Sequence, residues 1–214
     1  MGNTSFTFRN YVPADLITCM NLAGEAWPLP PEIAVGVRMD GMIKNWIESE
    51  VAGSTYAEVA ESEAGVIGLL FGKVKGQPVL EQQRGLVRSE VNFLLRVLSG
   101  SYGNVMRSLR LMISFQATDL KLLINDPRAD AKIEMLIVDE AYRGKGLGKL
   151  LVTRFIETAK KQGGKSLSVY TDDQTSNWRF YEMVGFKRIA EFHDNGSSRY
   201  VGKHANALIY RLDI

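Results

Sequence analysis

The 214-residue sequence holds one cysteine, Cys19, and two histidines, His193 and His204. A single thiol excludes an internal disulfide framework, and so few soft ligands make a poor zinc set. No metal is expected, and the lone thiol fits a reducing cytoplasm. Long apolar runs are missing too. The richest, GVIGLLFG at 65–72, stops far short of the roughly 20 residues of a membrane span, so no membrane partner is expected. MGNTSFTFRN at the start has no apolar core of the signal-peptide kind. Nor does one sign of charge dominate: 26 Lys and Arg against 24 Asp and Glu leave a formal net charge of +2. That is too little to draw the chain as a whole to nucleic acid or a membrane. No internal repeat is visible.

What remains is a globular composition. Hydrophobic residues make up 45% and charged residues 23%, which excludes intrinsic disorder and suffices for one domain, over 1–214, with a sizeable core. SFTFRNYV alternates like a short strand, and Pro13-Ala14-Asp15 opens a helix to about Leu22. WPLPP at 27–31 must be a loop, because its prolines lack donors and restrict their neighbours. Helical spacing runs from Ile33 to Ile47. Residues 55–60 and 65–73 read as a hairpin.

Residues 81–121 are expected to form two helices, near 90–98 and 105–115. The arginines at 84, 88, 96, 107 and 110 face one acid, Glu90. That bias marks either a surface for an acidic substrate or partner, or arginine stems that cover helix flanks while their heads stay in water. With no recognition helix or aromatic platform beside them, nucleic acid is a poor partner. The segment either borders a substrate cleft or forms the seam of a homodimer. From 131 the expected order is a strand (131–138), a helix (146–161), a strand (165–171), a short helix (175–184) and a strand (186–192). HDNGSSR then reads as a turn, and a last strand spans 205–212. The strand–helix–strand passage implies a parallel pair and the hairpins imply antiparallel ones, giving a mixed α/β fold.

The most informative stretch is KIEMLIVDEAYRGKGLGKLLVTRFIETAKK. A P-loop fails on it, because Gly148-Lys149 is followed by Leu150 and Arg143 stands where the first glycine belongs. A dinucleotide fingerprint fits poorly, since Gly144, Gly146 and Gly148 have the wrong last spacing and DEAYR separates them from the strand. A third reading is positive. Glycines let backbone N–H groups and a helix N-terminus close on one anion, and Arg143, Lys145 and Lys149 add charge. A pyrophosphate is the natural guest.

Arg143-Gly144-Lys145-Gly146-Leu147-Gly148 resembles the [Q/R]-x-x-G-x-[G/A] motif of the GNAT superfamily, the Gcn5-related N-acetyltransferases. LIVDEAYR before it and FYEMVGF at 180–186 are similar to that family's flanking segments, and RNYVPADL at 9–16 to its opening. The resemblance implies a mixed central sheet flanked by helices, with 81–121 as a helical insertion. It implies an acetyl-CoA co-substrate whose pantetheine arm pairs with the backbone of Leu136, Ile137 and Val138. The N–H groups from Arg143 through Lys149 would hold its pyrophosphate, and the amide of Gln174 or Asn177 would add a contact. It also casts Tyr181 as the acid that protonates the leaving thiolate, besides touching the cofactor. Glu134 alternates with Leu136 and Val138, which predicts a shared strand face, and it resembles the strand glutamate some members use as general base. Glu25 and Asp172 are reserves. The acceptor would be a primary amine on a small molecule or peptide, acetylated by direct attack in a ternary complex. The alternative is a catalytically silent CoA-binding regulatory protein.

Overall fold

A computed structural model describes residues 6–28, 30, 36–80, 86–125 and 127–214, with the side chains of 86–91 outside the description. Arg84, the side chain of Arg88 and part of WPLPP therefore lie outside the described residues. Among the described residues seven strands form one sheet: β1 (Thr7–Asn10), β2 (Tyr56–Ser62), β3 (Gly65–Val74), β4 (Ala131–Val138), β5 (Ser166–Asp172), β6 (Lys187–His193) and β7 (Asn206–Asp213). Their order is β1-β2-β3-β4-β5-β7-β6. Only β4 and β5 run parallel; every other neighbouring pair is antiparallel.

Helices cover both faces. On one side α1 (Leu16–Ala26) and α2 (Met39–Gly53) bury Cys19, Leu22, Ile47 and Val51 against Leu69, Phe71, Met135 and Ile137. Between them and β4 in sequence lie α3 (Leu86–Leu98) and α4 (Val105–Ile124), which form the expected insertion. On the other side α5 (Leu147–Lys161) lays Leu147, Leu151, Val152, Phe155 and Ala159 on Ile67, Leu70, Ile133 and Val169. These α5 residues recur every three or four positions, so one stripe meets the sheet. Two short helices follow among the described residues, α6 (Arg179–Met183) and α7 (Asn195–Val201).

Two elements depart from the sequence pattern. The helix expected from Ile33 begins only at Met39, and Ile33 itself lies outside the described residues. Val37 forms a β-bridge with Gly103, and the Arg38 N–H donates to Tyr102 O at 2.9 Å, so Val37 and Arg38 lie outside the helix. The predicted turn HDNGSSR is largely helix α7. Its Asp194 side chain accepts from Ser197 N, a helix N-cap, and Gly202 at φ 72° ends it.

β4 does not alternate evenly. Ile133 pairs with Gly72 and Met135 with Phe71, which leaves Glu134 without a partner in a β-bulge. A Cβ on Gly72 would meet the Phe155 ring at 2.4 Å, so only glycine fits opposite that helix. The bulge turns the strand over: Ala131 and Ile133 belong to the α5 core, whereas Met135 and Ile137 belong to the core under α1 and α2. Among the described residues no helix is long and apolar enough to cross a membrane.

Candidate active site

The site begins where two strands part. β4 and β5 pair at Ala131↔Leu167, Lys132↔Ser168 and Ile133↔Val169, and the pairing stops there. β5 continues along β7 as far as Asp172↔Ala207, and β4 stays on β3 to Val138, so a gap opens beyond the bulge. Asp139 N donates to Ile67 O, which sets the phase of the antiparallel ladder. By alternation, Ile137 turns its backbone groups to β3, while Leu136 and Val138 turn theirs into the gap. Of the three residues expected to pair with a pantetheine arm, two face it.

The glycine loop closes one end of the gap. Gly144 and Gly146 have φ of 74° and 84°, and a Cβ at either would meet nothing within 4 Å, so the backbone stands open to a guest. Among the described residues no hydrogen-bond acceptor is paired with the amides of Gly144, Lys145, Gly146, Leu147, Gly148 or Lys149. Leu147 is buried and pins the start of α5, so these amides are held as a set. Arg143 differs from its neighbours: its own N–H donates to Glu140 O, and its Nε donates to Val138 O at 3.0 Å. It braces strand end to loop. Lys145 Nζ lies 4.8 Å from the centroid of the Tyr142 ring. A cradle of six unpaired amides with exposed cations fits a pyrophosphate.

Tyr181 is carried beside this loop by α6. A Cβ on Gly148 would lie 3.4 Å from the Phe180 ring and 3.6 Å from Val138 Cγ2, so α6 sits against both loop and strand end. Tyr181 itself is buried among Phe180, Phe186 and Tyr210, and its hydroxyl makes no hydrogen bond to a described residue. Burial pushes the phenol above its usual value, which keeps it a neutral donor. Gln174 and Asn177 are both exposed. Gln174 Nε2 donates to Asp173 Oδ1 at 3.2 Å, which turns that amide away, while the Asn177 side chain has no described partner. Asp172 is occupied in closing the turn, accepting from Gln174 N, Thr175 N and Thr175 Oγ1.

Across the sheet lies a second group that sequence reasoning did not find. Glu134 does not share the face of Leu136 and Val138; the bulge puts it with Lys132, whose Nζ is 2.7 Å from its Oε2. Glu50 of α2 lies in the field of both. The residue is half-buried, and Trp46 Nε1 donates to its Oε1 at 3.0 Å. Desolvation, with repulsion from Glu134 second, pushes this carboxyl up to about 7. Trp46 packs on Trp27, with ring centroids 5.0 Å apart. Tyr200 of α7 donates its hydroxyl to Trp27 O, which fixes the indole pair against the C-terminal part of the chain. The i, i+4 spacing of Trp46 and Glu50 on a helix was the available signal. Cys19 is fully buried, its thiol pushed up to about 12 by burial, and is no nucleophile. His193 and His204 stack at 4.7 Å, both exposed, and form no dyad with an acid. A separate cleft of about 580 Å³, lined by Arg38, Arg96 and Tyr102 among others, lies at the opposite end of α2 from Glu50.

Residues 112–186, from α4 to the end of the Tyr181 segment, match the acetyltransferase (GNAT) family. Over that stretch the chain is similar to the GNAT acetyltransferases. The likeness of fold extends over 98% of the chain: ribosomal-protein-S18-alanine N-acetyltransferase from Escherichia coli superposes with a TM-score of 0.57 at 14% identity, and 94% of that chain is covered. An N-acetyltransferase from Staphylococcus aureus Mu50 gives a TM-score of 0.56 at 17% identity, covering 98% and 99%. Sequence similarity to curated N-acetyltransferases is local. Glucosamine 6-phosphate N-acetyltransferase from Trypanosoma brucei brucei is 38% identical over 60 residues, 28% of this chain and 40% of that protein. N-acetyltransferase 8B from Homo sapiens is 30% identical over 95 residues, 42% of each. The chain thus spans about two fifths of the length of the curated relatives it matches. Among the described residues no group of three or more metal-ligating side chains occurs.

Proposed function

We propose that the chain acts as a single domain over 1–214 and transfers an acetyl group from acetyl-CoA to a primary amine. The observation that carries this reading is the gap between β4 and β5, with the amides of Leu136 and Val138 turned into it and six unpaired amides at its end. The strand amides offer an extended partner to a pantetheine arm, and the loop offers the pyrophosphate its donors. Arg143 stabilises the junction by holding Val138 O. Of the two amides named as further contacts, Asn177 is the better placed, since Gln174 is turned to Asp173. Tyr181 donates its proton to the departing sulfur, a task its buried neutral phenol suits. Glu134 draws the ammonium of the acceptor towards the bulge. Holding both partners in one gap supplies much of the acceleration.

The test is incubation of the protein with acetyl-CoA and a panel of primary amines, following free thiol and acetylated amine together. Equal amounts of both, dependent on protein, support the reading. Tight CoA binding with no turnover on any amine favours a silent CoA-binding regulator instead.

A further inference from the structure

On the reading just given, an ammonium must lose a proton before its nitrogen can attack. Among the carboxylates near the gap, Glu134 has an oxygen engaged by the Lys132 ammonium, and Asp172 is filled by turn donors. Glu50 is different. Its Oε1 is fixed by the Trp46 indole, which leaves Oε2 with no described partner. It rises from the α2 turn that also carries Ile47 and Val51, and those two pack into one core with Met135 and Ile137 on either side of the gap-facing Leu136. Its charged neighbours are Glu134 and Lys132 from β4 and Asp119 from α4. The indole pair of Trp46 and Trp27 stands beside it, a surface that favours an ammonium through its π faces.

We infer that Glu50 is the general base of the acetyl transfer, taking a proton from the acceptor ammonium while the indole of Trp46 holds it in place. The balance is complete without another reactant. The ammonium gives one proton to Glu50, and the free amine forms the C–N bond as the C–S bond breaks. The sulfur takes the Tyr181 proton, and the nitrogen sheds a second proton as it becomes an amide. Glu50 and Tyr181 then return to their starting states by exchange with water, with one net proton released. A carboxyl raised to about 7 is half ionised near neutrality and still basic enough to compete for the proton.

The Trp46 indole N–H reports on this carboxyl without any turnover, because it donates to it. Its NMR resonance in the ligand-free protein is expected to titrate with a midpoint near that of Glu50. The midpoint should fall in Glu134→Gln, which removes a repelling charge, and rise in Lys132→Met, which removes an attracting one. Glu50→Gln should abolish the titration. With acetyl-CoA and spermidine, phenylethylamine or a lysine peptide as probe, the acid limb of kcat/KM should follow the same midpoints. Glu50→Gln should lower kcat/KM about 10²–10⁴-fold at pH 8 and leave CoA affinity within about twofold. An indole resonance that does not titrate, or turnover by Glu50→Gln within about twofold of wild type, overturns the assignment. A wild-type protein inert towards all three amines overturns the acetyl-transfer reading itself, and the base with it.

Discussion

Thr118 Oγ1 donates to Asp194 Oδ1 at 2.7 Å, joining two residues 76 positions apart in a fully buried contact. Asp194 also accepts from the Tyr170 hydroxyl and from Ser197 N, and Thr118 Oγ1 in turn accepts from Gly196 N. One carboxylate therefore fastens α4 of the insertion, β5 at the gap and α7 behind Trp27. Thr118→Val keeps the shape but removes a donor from a buried charge and an acceptor from a buried amide. It should cost about 2–3 kcal/mol in urea unfolding, with an unchanged m-value.

Arg9 meets Asp15 through two bonds of 2.7 and 2.8 Å, and the guanidinium holds that carboxyl below its usual range. A depressed carboxyl gives stability that is present above its unfolded-state value and lost as pH falls through the folded one. Wild-type protein should therefore lose stability progressively below about pH 4. Asp15→Asn should be less stable than wild type at neutral pH and should show a flatter acid limb by chemical denaturation at stepped pH.

Trp46→Phe removes a donor from Glu50 but keeps an aromatic ring next to Trp27. The lost bond favours the ionised carboxylate, so the substitution raises the Glu50 value further. Activity should fall more at pH 7 than at pH 9, and the acid limb of the rate profile should move to higher pH. A uniform loss at both pH values would mark the indole as packing alone.

Gly146 has φ of 84° with open space around the missing Cβ. Gly146→Ala forces a left-handed conformation costing about 1–2 kcal/mol and puts a methyl group among the loop amides. Donor binding should weaken by about tenfold or more, read by calorimetry with CoA, while kcat at saturating donor changes little.

Much of this was legible in the chain itself. RGKGLG, the α5 stripe Leu147, Leu151 and Phe155, and the β2–β3 hairpin depend on local spacing, and they fall where the spacing puts them. The bulge at Glu134 was not legible. It lies opposite Gly72, where the Phe155 ring leaves no room for a Cβ, and no periodicity along β4 encodes that neighbour. The consequence is large, because the bulge moves Glu134 to the α2 face. Glu50 was hidden for a related reason. On an amphipathic helix it reads as one more polar residue, and its setting comes from β4 and α4. Helix α7 was missed because Gly196 and the serines suggested a turn, while Asp194 as an N-cap signalled the helix.

The most direct measurement is the steady-state rate of thiol release from acetyl-CoA, with an amine that the wild type acetylates, in Tyr181→Phe. The ring stays among Phe180, Phe186 and Tyr210, and only the proton donor is lost. In Tyr181→Phe kcat should be lower by about 10²–10⁴-fold, with donor KM changed less than about threefold. A kcat equal to wild type would contradict that donor role.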